Sequence, residues 1–169
     1  SSTEAAQAGI GAVEDLTHQL QGIAMAARGG TAEQRQAAAE QFDQIRAQIS
    51  SLASDTSYAG VTLIDDPADD QTTDVGDLSG ATVTVEGRAS TADTLGIGTA
   101  TGDYNSFASD ADIEAALNDL SGAVAQTRST AQRFGSDIAT LNTRQDFTQN
   151  LSNTIQAAED KMSGADLNE

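Results

Sequence analysis

The sequence predicts a mainly α fold: an elongated antiparallel helical bundle of two shorter N-terminal helices and one long C-terminal helix, with a small β-hairpin insert. Towards both ends of the chain, apolar residues alternate at spacings of three and four. This is the period of helices that lie nearly parallel in a bundle. Alanine dominates the apolar residues and only 4% of all residues are aromatic, which favours thin, closely packed helices. Short β-branched runs in the middle of the chain predict the hairpin.

The first helix is predicted over roughly 4–28, and a glycine pair at 29–30 ends it. Thr31 can cap the second helix, with Gln34 as the partner in a capping box. We expect this second helix to end near 54–60. Because the link is so short, the two helices should be antiparallel neighbours. Their apolar seam is formed by Val13, Leu16, Leu20 and Ile23 in the first and by Phe42, Ile45, Ile49 and Leu52 in the second.

The middle of the chain is predicted to be a hairpin and loop insert over 61–108, between a helical pair at 1–60 and a long helix at 109–169. The runs VTLI at 61–64 and ATVTVEG at 81–87 are the predicted strands. Serine, threonine and glycine fill 88–109, which predicts loops. An acidic run joins the two strands and consists of Asp65, Asp66, Asp69, Asp70, Asp74 and Asp77.

The last helix is predicted to begin at Ser109 or Asp110 and to end at the SGAD sequence, 163–166. No proline interrupts it. Its seam residues are Leu117, Leu120, Val124, Phe134, Ile138, Leu141, Phe147, Leu151, Ile155 and Met162. We expect the seams of all three helices to pack together as the bundle core or against a partner.

The predicted helices differ in length, and this difference points to function. At 1.5 Å per residue the last helix would run about 80 Å, whereas the first two would run about 35–40 Å each. The first two helices can therefore cover only half of the third. Apolar surface of that extent is a typical interaction site. We expect either a preceding segment or another molecule to cover it, which favours assembly over catalysis.

Charge and composition exclude several classes of function. The formal net charge is −18, from 26 acidic and 8 basic residues. Nucleic acids and anionic membrane surfaces both need basic contacts, so neither is an expected partner. No cysteine is present, which excludes disulfides and thiolate metal sites. No apolar run approaches the roughly 20 residues that cross a bilayer, and no cleaved signal peptide can be identified.

Neither a metal site nor a catalytic site can be assembled from the sequence. The acidic run lacks the spacing and the terminal glutamate of an EF-hand, so a solvated loop is the interpretation. His18 has no second histidine, cysteine or serine partner that would give it catalytic chemistry. The Gly29-Gly30 pair lacks the lysine of a phosphate-binding loop. We therefore expect no cofactor and no enzymatic activity.

Three stretches of the sequence resemble bacterial flagellin. DTSYAGVTLI at 55–64 is similar to the Q-T-Q-F-N-G-x-x-L turn that ends the second helix of that family. TLGI at 94–97 resembles the T-L-G-L that follows its hairpin. The sequence from 141 to 169 resembles the flagellin segment that closes on A-D-x-N-E. The resemblance covers nearly the whole chain and implies the rod-shaped core domain of a flagellin without the terminal segments that line the filament's inner core.

The resemblance implies a structural function. A full-length subunit would be exported unfolded through the flagellar secretion channel, would meet the export and capping machinery, and would polymerise with other flagellin subunits into an extracellular flagellar filament for motility. Lack of cysteine suits such export. Two alternatives remain open: the hook–filament junction protein, which has the same helical plan, and a flagellin-like surface-binding protein that uses the hairpin region as its binding face.

The resemblance also locates a receptor patch in the first helix. Many flagellins have L-Q-R-V-R-E-L-A-V there, the sequence that Toll-like receptor 5 recognises, and this chain has THQLQGIAM at 17–25. Gln19 and Gln21 replace the two arginines, Gly22 replaces the glutamate, and Ile23 matches the leucine. Glutamine cannot supply the charged fork of arginine. The sequence predicts weak or absent recognition by this receptor.

Overall fold

A computed structural model describes residues 1–58, 60–76 and 80–167, the last two of these by their backbone only. Three long helices form the rod: α1 (Ser2–Ala26), α2 (Ala32–Asp55) and, after the insert, α4 (Asp110–Leu167). Helix α1 packs against both of the others. The predicted fold class, with two shorter helices, one long C-terminal helix and a small hairpin, is confirmed.

The turn between α1 and α2 forms as the sequence predicts. Gly29 has a φ of +70°, a left-handed conformation that glycine adopts without a steric cost. The backbone N–H of Gln34 donates to the Thr31 hydroxyl at 3.1 Å, and the Gln34 side chain accepts from the Thr31 N–H at 2.9 Å. This reciprocal pair is the predicted capping box.

Helix α4 is capped at its start and lies within the predicted range of 109–169. The Asp112 N–H donates to the Ser109 hydroxyl, and Asp112 accepts from the Ser109 N–H at 3.0 Å and from its hydroxyl at 2.8 Å. The hydroxyl bond lowers the pKa of the Asp112 carboxyl. The SGAD sequence at 163–166, a possible stop, does not end the helix, which runs to Leu167. Gly164 weakens a helix by only about 1 kcal/mol relative to alanine, which is too little to end it.

Contacts between α1 and α4 fix an antiparallel register. Gln7 donates to the Ala131 carbonyl at 3.4 Å, near the start of α1. The guanidinium of Arg128 binds Glu14 at 2.9 Å in its middle. Near its end, Arg28 forms an ion pair with Glu114. Helix α1 therefore accompanies α4 from about residue 114 to the 130s, which leaves the C-terminal part of α4 without a helical neighbour among the described residues.

Two hydrophobic clusters follow each other along the rod. The first lies where α1 and α2 meet the beginning of α4, and its largest members include Leu20, Phe42, Ile49, Phe107, Ile113 and Leu120. The second lies beside the insert and includes Ile10, Leu63, Ile64, Val85, Phe134 and Leu141. Residues of the insert thus complete the core at both levels.

The hairpin pairs different strands from those predicted. Strand β1 (Gln71–Asp74) is antiparallel to β2 (Thr82–Val85), with Gln71 opposite Val85. The prediction of a strand at 81–87 is confirmed and that of a strand at 61–64 is wrong. Leu63 and Ile64 are instead fully buried in the second cluster, so the apolar run reflects core packing rather than strand pairing. Asp77 lies outside the described residues.

The segment 88–108, predicted as loop, contains a short helix and a core anchor. Asp43 of α2 accepts from the Ala100 and Thr101 N–H groups at 2.5 and 3.2 Å, at the start of α3 (Ala100–Asp103). A turn at Asn105–Phe107 then has positive φ at all three residues. It turns the Phe107 ring onto the edge of Phe42, 5.4 Å between centroids. The aromatic edge contact fixes this segment on the bundle.

Candidate assembly surface

The most exposed part of the described rod is the C-terminal end of α4. Every residue from 149 to 165 is exposed to solvent; this segment is called the α4 tail below. At 1.5 Å per residue it extends about 25 Å beyond the last contact with the insert. An isolated helix of this length is only marginally stable in water unless an apolar face is packed. The tail therefore has the properties of a segment that needs a partner.

The seam residues fall into three groups in the structure. The buried ones are Val13, Leu20, Phe42, Ile49, Leu120, Val124, Phe134 and Leu141. Those partly buried are Leu16, Ile23, Ile45, Leu52, Leu117 and Ile138. Those exposed are Phe147, Leu151, Ile155 and Met162. The change from buried to exposed occurs after Leu141, although the helical period continues.

The exposed members form a stripe on one side of the helix. Phe147 is 53% exposed, Leu151 40%, Ile155 42% and Met162 70%. Steps of four, four and seven residues keep these side chains on one face. Side chains of this size are normally buried, and a contiguous row of them marks an interaction surface.

The hairpin supports the base of the tail. The Thr148 hydroxyl donates to the Val75 carbonyl at 2.8 Å, and Val75 itself is only 5% exposed. Next to it, Gly76 has a φ of +74° and its N–H donates to Asp74 at 2.8 Å. This turn directs the hairpin end onto α4. No local sequence pattern predicts this contact, and its one signal is a lone valine within an acidic loop.

The charges are unevenly distributed along α4. The tail contains three charged side chains, Glu159, Asp160 and Lys161, which sum to −1, whereas the whole chain has −18. At the level of the hairpin, Arg133 binds Glu86 at 3.0 Å. Burial raises the pKa of the nearby Asp137 carboxyl, Arg133 lowers it and Glu86 raises it further. The tail is thus a weakly charged surface on an acidic protein.

The receptor-patch positions lie on the other half of the rod. Gln19 and Gly22 are exposed, and Gln21 and Ile23 are half-buried. Gln19, Gly22 and Ile23 line a shallow groove between α1 and α2, and no charged side chain is among its lining residues. His18 is exposed and lies 3.5 Å from Glu14 and 2.9 Å from the Gln21 side chain.

The remaining polar groups serve local structure. Asp69 accepts from the Thr62 N–H at 3.1 Å and from its hydroxyl at 3.0 Å, and Asp70 accepts from the Gly87 N–H at 2.8 Å. The carboxylates of the acidic loop therefore tie its backbone together. Burial and a 2.7 Å hydrogen bond to Asp119 raise the pKa of Tyr104 well above its ordinary value. Over the described ranges, no group of acidic, histidine or cysteine residues could hold a metal ion, and no helix has the length and hydropathy to span a membrane.

The sequence matches no model of a protein family and no curated protein. The structure does resemble a known one: the crystal structure of Bacillus cereus flagellin superposes with a TM-score of 0.73, over 94% of this chain and 90% of that one, at 21% sequence identity. At such an identity the likeness establishes architecture alone. The chain has a flagellin-like fold.

Proposed function

We propose that this protein is a structural subunit of a bacterial flagellar filament and that it self-associates through surfaces that include the α4 tail. The observation that carries the proposal is the apolar stripe of that tail, which is exposed in a chain of flagellin-like fold. An exposed, weakly charged apolar stripe is a surface suited to burial in a larger assembly. The seam residues that are already buried would hold the rod together.

The rod also has the rigidity that a filament subunit needs. Two consecutive hydrophobic clusters, each completed by residues of the insert, fill the rod from the α1–α2 turn to Leu141. Polar ion pairs such as Arg128–Glu14 and Arg133–Glu86 add contacts across the surface at modest energies. We propose that 1–60 and 109–169 act as one rod domain and that 61–108 acts as its brace.

The proposal includes location and partners. The subunit would act outside the cell in the flagellum, after passage through the export and capping machinery, with other copies of itself as its main partner. Recognition by Toll-like receptor 5 would be weak or absent, because the receptor-patch positions present Gln19, Gln21 and Gly22 instead of charged groups. Activation of receptor-expressing reporter cells at ordinary flagellin doses would contradict that part.

Filament formation by the protein expressed from its complete gene tests the proposal. Negative-stain microscopy should show filaments, and the double substitution Leu151→Asp with Ile155→Asp should abolish them. A matched control is Asn153→Asp, on the other side of the same helix, which adds a charge and leaves the stripe intact. The control should still polymerise. Unaltered filaments from the double variant would refute the role of the α4 tail, and no filaments from the unmodified protein in any salt would refute the filament function itself.

A further inference from the structure

The surface of the protein is acidic in almost every region. Acidic residues outnumber basic ones by 26 to 8, and none of the acidic side chains that the structure describes is buried. They occur on α1, α2, the insert and α4 alike. A net charge this far from zero favours solubility and opposes the compact state through self-repulsion.

Most of the few cationic side chains form ion pairs within the molecule. Lys161 is the only lysine, and the other seven basic residues are arginines. Five of these arginines bind carboxylates of another element: Arg28 with Glu114, Arg35 with Asp110, Arg46 with Asp93, Arg128 with Glu14, and Arg133 with Glu86. They join the rod together and neutralise only a minority of the acids.

Like charges are also placed close to one another. Glu86 and Asp137 both lie near Arg133; burial raises the pKa of the Asp137 carboxyl, Arg133 lowers it, and Glu86 has a smaller raising effect. Asp103 and Asp119 both lie near the Tyr104 hydroxyl and raise its pKa, after the larger effect of burial. The fold therefore holds carboxylates near one another at these two places.

The balance between attraction within ion pairs and repulsion between carboxylates decides whether salt raises or lowers the stability of the fold. Exposed ion pairs are worth about 0–1 kcal/mol each, and salt weakens them together with the repulsions. The screening length falls from about 10 Å at 0.1 M to about 3 Å at 1 M. Because acids outnumber bases roughly three to one, repulsive pairs outnumber attractive ones, and screening has a net stabilising effect.

We propose that this protein is adapted to concentrated salt, so that its folded state and its self-association both depend on monovalent salt at about 1 M and above. The part about self-association depends on the function proposed above. It deepens that function, because copies that each have −18 can approach only when counterions screen them. The weakly charged tail and the uncharged α1–α2 groove are the regions where such approach is least opposed.

Thermal unfolding of the isolated subunit tests the first part without any assembly. Between about 0.1 M and 2 M KCl the Tm should rise by about 5 °C or more. A variant with Asp15→Asn, Glu33→Gln, Asp55→Asn and Asp146→Asn removes exposed carboxylates for which the described structure shows no hydrogen bond or ion pair to the side chain. The Tm of this variant should be higher at low salt than that of the unmodified protein, and it should rise less with KCl. A second variant, Arg28→Gln with Arg133→Gln, makes the net charge more negative. Its Tm should rise more steeply with KCl.

The outcomes separate the two proposals. A Tm that is flat or falls with KCl, or equal slopes for all three proteins, would overturn the salt adaptation while filaments could still form. Salt-dependent melting with no filaments at any KCl concentration would uphold the adaptation and refute the filament function. Filaments that form equally well at about 0.1 M and 2 M KCl would overturn the part on self-association.

Discussion

Helix α4 has two halves with the same apolar period and opposite surroundings. In the first, Leu120, Phe134 and Leu141 are buried against α1, α2 and the insert; in the second, Leu151, Ile155 and Met162 are exposed. The period of a helix shows which side requires cover and does not show what covers it. The difference arises from length: the start of α1 lies beside the 130s, the insert reaches Thr148, and the described rod has nothing that extends further along α4.

The largest expected effect on the free energy of unfolding comes from the same substitution, phenylalanine to alanine, made in each half of α4. Phe134→Ala should destabilise the protein by about 3–5 kcal/mol, because it empties a fully buried site in the second cluster. Phe147→Ala, only 13 residues further along the same helix, should change the free energy of unfolding by less than about 0.5 kcal/mol. Urea unfolding of the monomer measures both. Equal losses would mean that the tail is covered in solution.

A second comparison uses the two tyrosines and pH. Tyr104 is buried, donates to Asp119 and has a raised pKa, whereas Tyr58 is exposed. A raised folded-state pKa means that the native state retains a proton that the unfolded chain releases above about pH 10. Stability should therefore be unaffected by this group below pH 10 and should fall as pH rises beyond it.

The Tyr104→Phe variant should lose that alkaline decline, at the cost of the hydrogen bonds to Asp119 and from the Gly98 N–H. Tyr58→Phe is the matched control and should retain the decline. Chemical denaturation at a series of alkaline pH values measures the slope for each protein. A decline that persists unchanged in Tyr104→Phe would refute the assignment to this hydroxyl.

A third comparison addresses the boundary between the halves. Thr148→Val removes the donor to the Val75 carbonyl and should cost about 1 kcal/mol, the usual net worth of such a bond. Its effect should be local: hydrogen exchange should quicken at the hairpin and at the base of the tail, with the first cluster unchanged. The control Thr154→Val lies on the exposed tail, where its hydroxyl bonds only to the Asn150 carbonyl of its own helix. Equal exchange in both variants would show that the hairpin does not depend on this bond.

The sequence was informative where local chemistry decides the structure. The capping box at Thr31 and Gln34, the glycine stop after α1, and the seam from Leu117 to Leu141 could all be predicted from residue type and spacing. Each depends on a few neighbouring residues. For the same reason the fold class could be predicted from helical periodicity, the alanine-rich composition and the short β-branched runs.

The insert could not be predicted to the same degree. Leu63 and Ile64 look like a strand because β-branched and apolar runs occur both in strands and in core-filling loops. Only their burial in the cluster that also contains Phe134 distinguishes the two. The carboxylate of Asp43 caps α3 from 57 residues away, which no local pattern reveals. For the candidate site, the stripe was visible in the sequence, but the support that Val75 gives to Thr148 was not.

The smallest expected effect comes from replacing one glycine with alanine in each half of α4. Gly122 and Gly164 both lie within α4, and a methyl group added to either would meet no atom within 4 Å. In the covered half, Gly122→Ala should stabilise the protein by about 0.5–1 kcal/mol, because alanine has the higher helix propensity. In the tail, Gly164→Ala should raise helicity measured by circular dichroism and leave the midpoint of cooperative unfolding unchanged, since the tail frays independently of the core. A shift of that midpoint by Gly164→Ala would show that the tail unfolds with the bundle, and hence that it is packed.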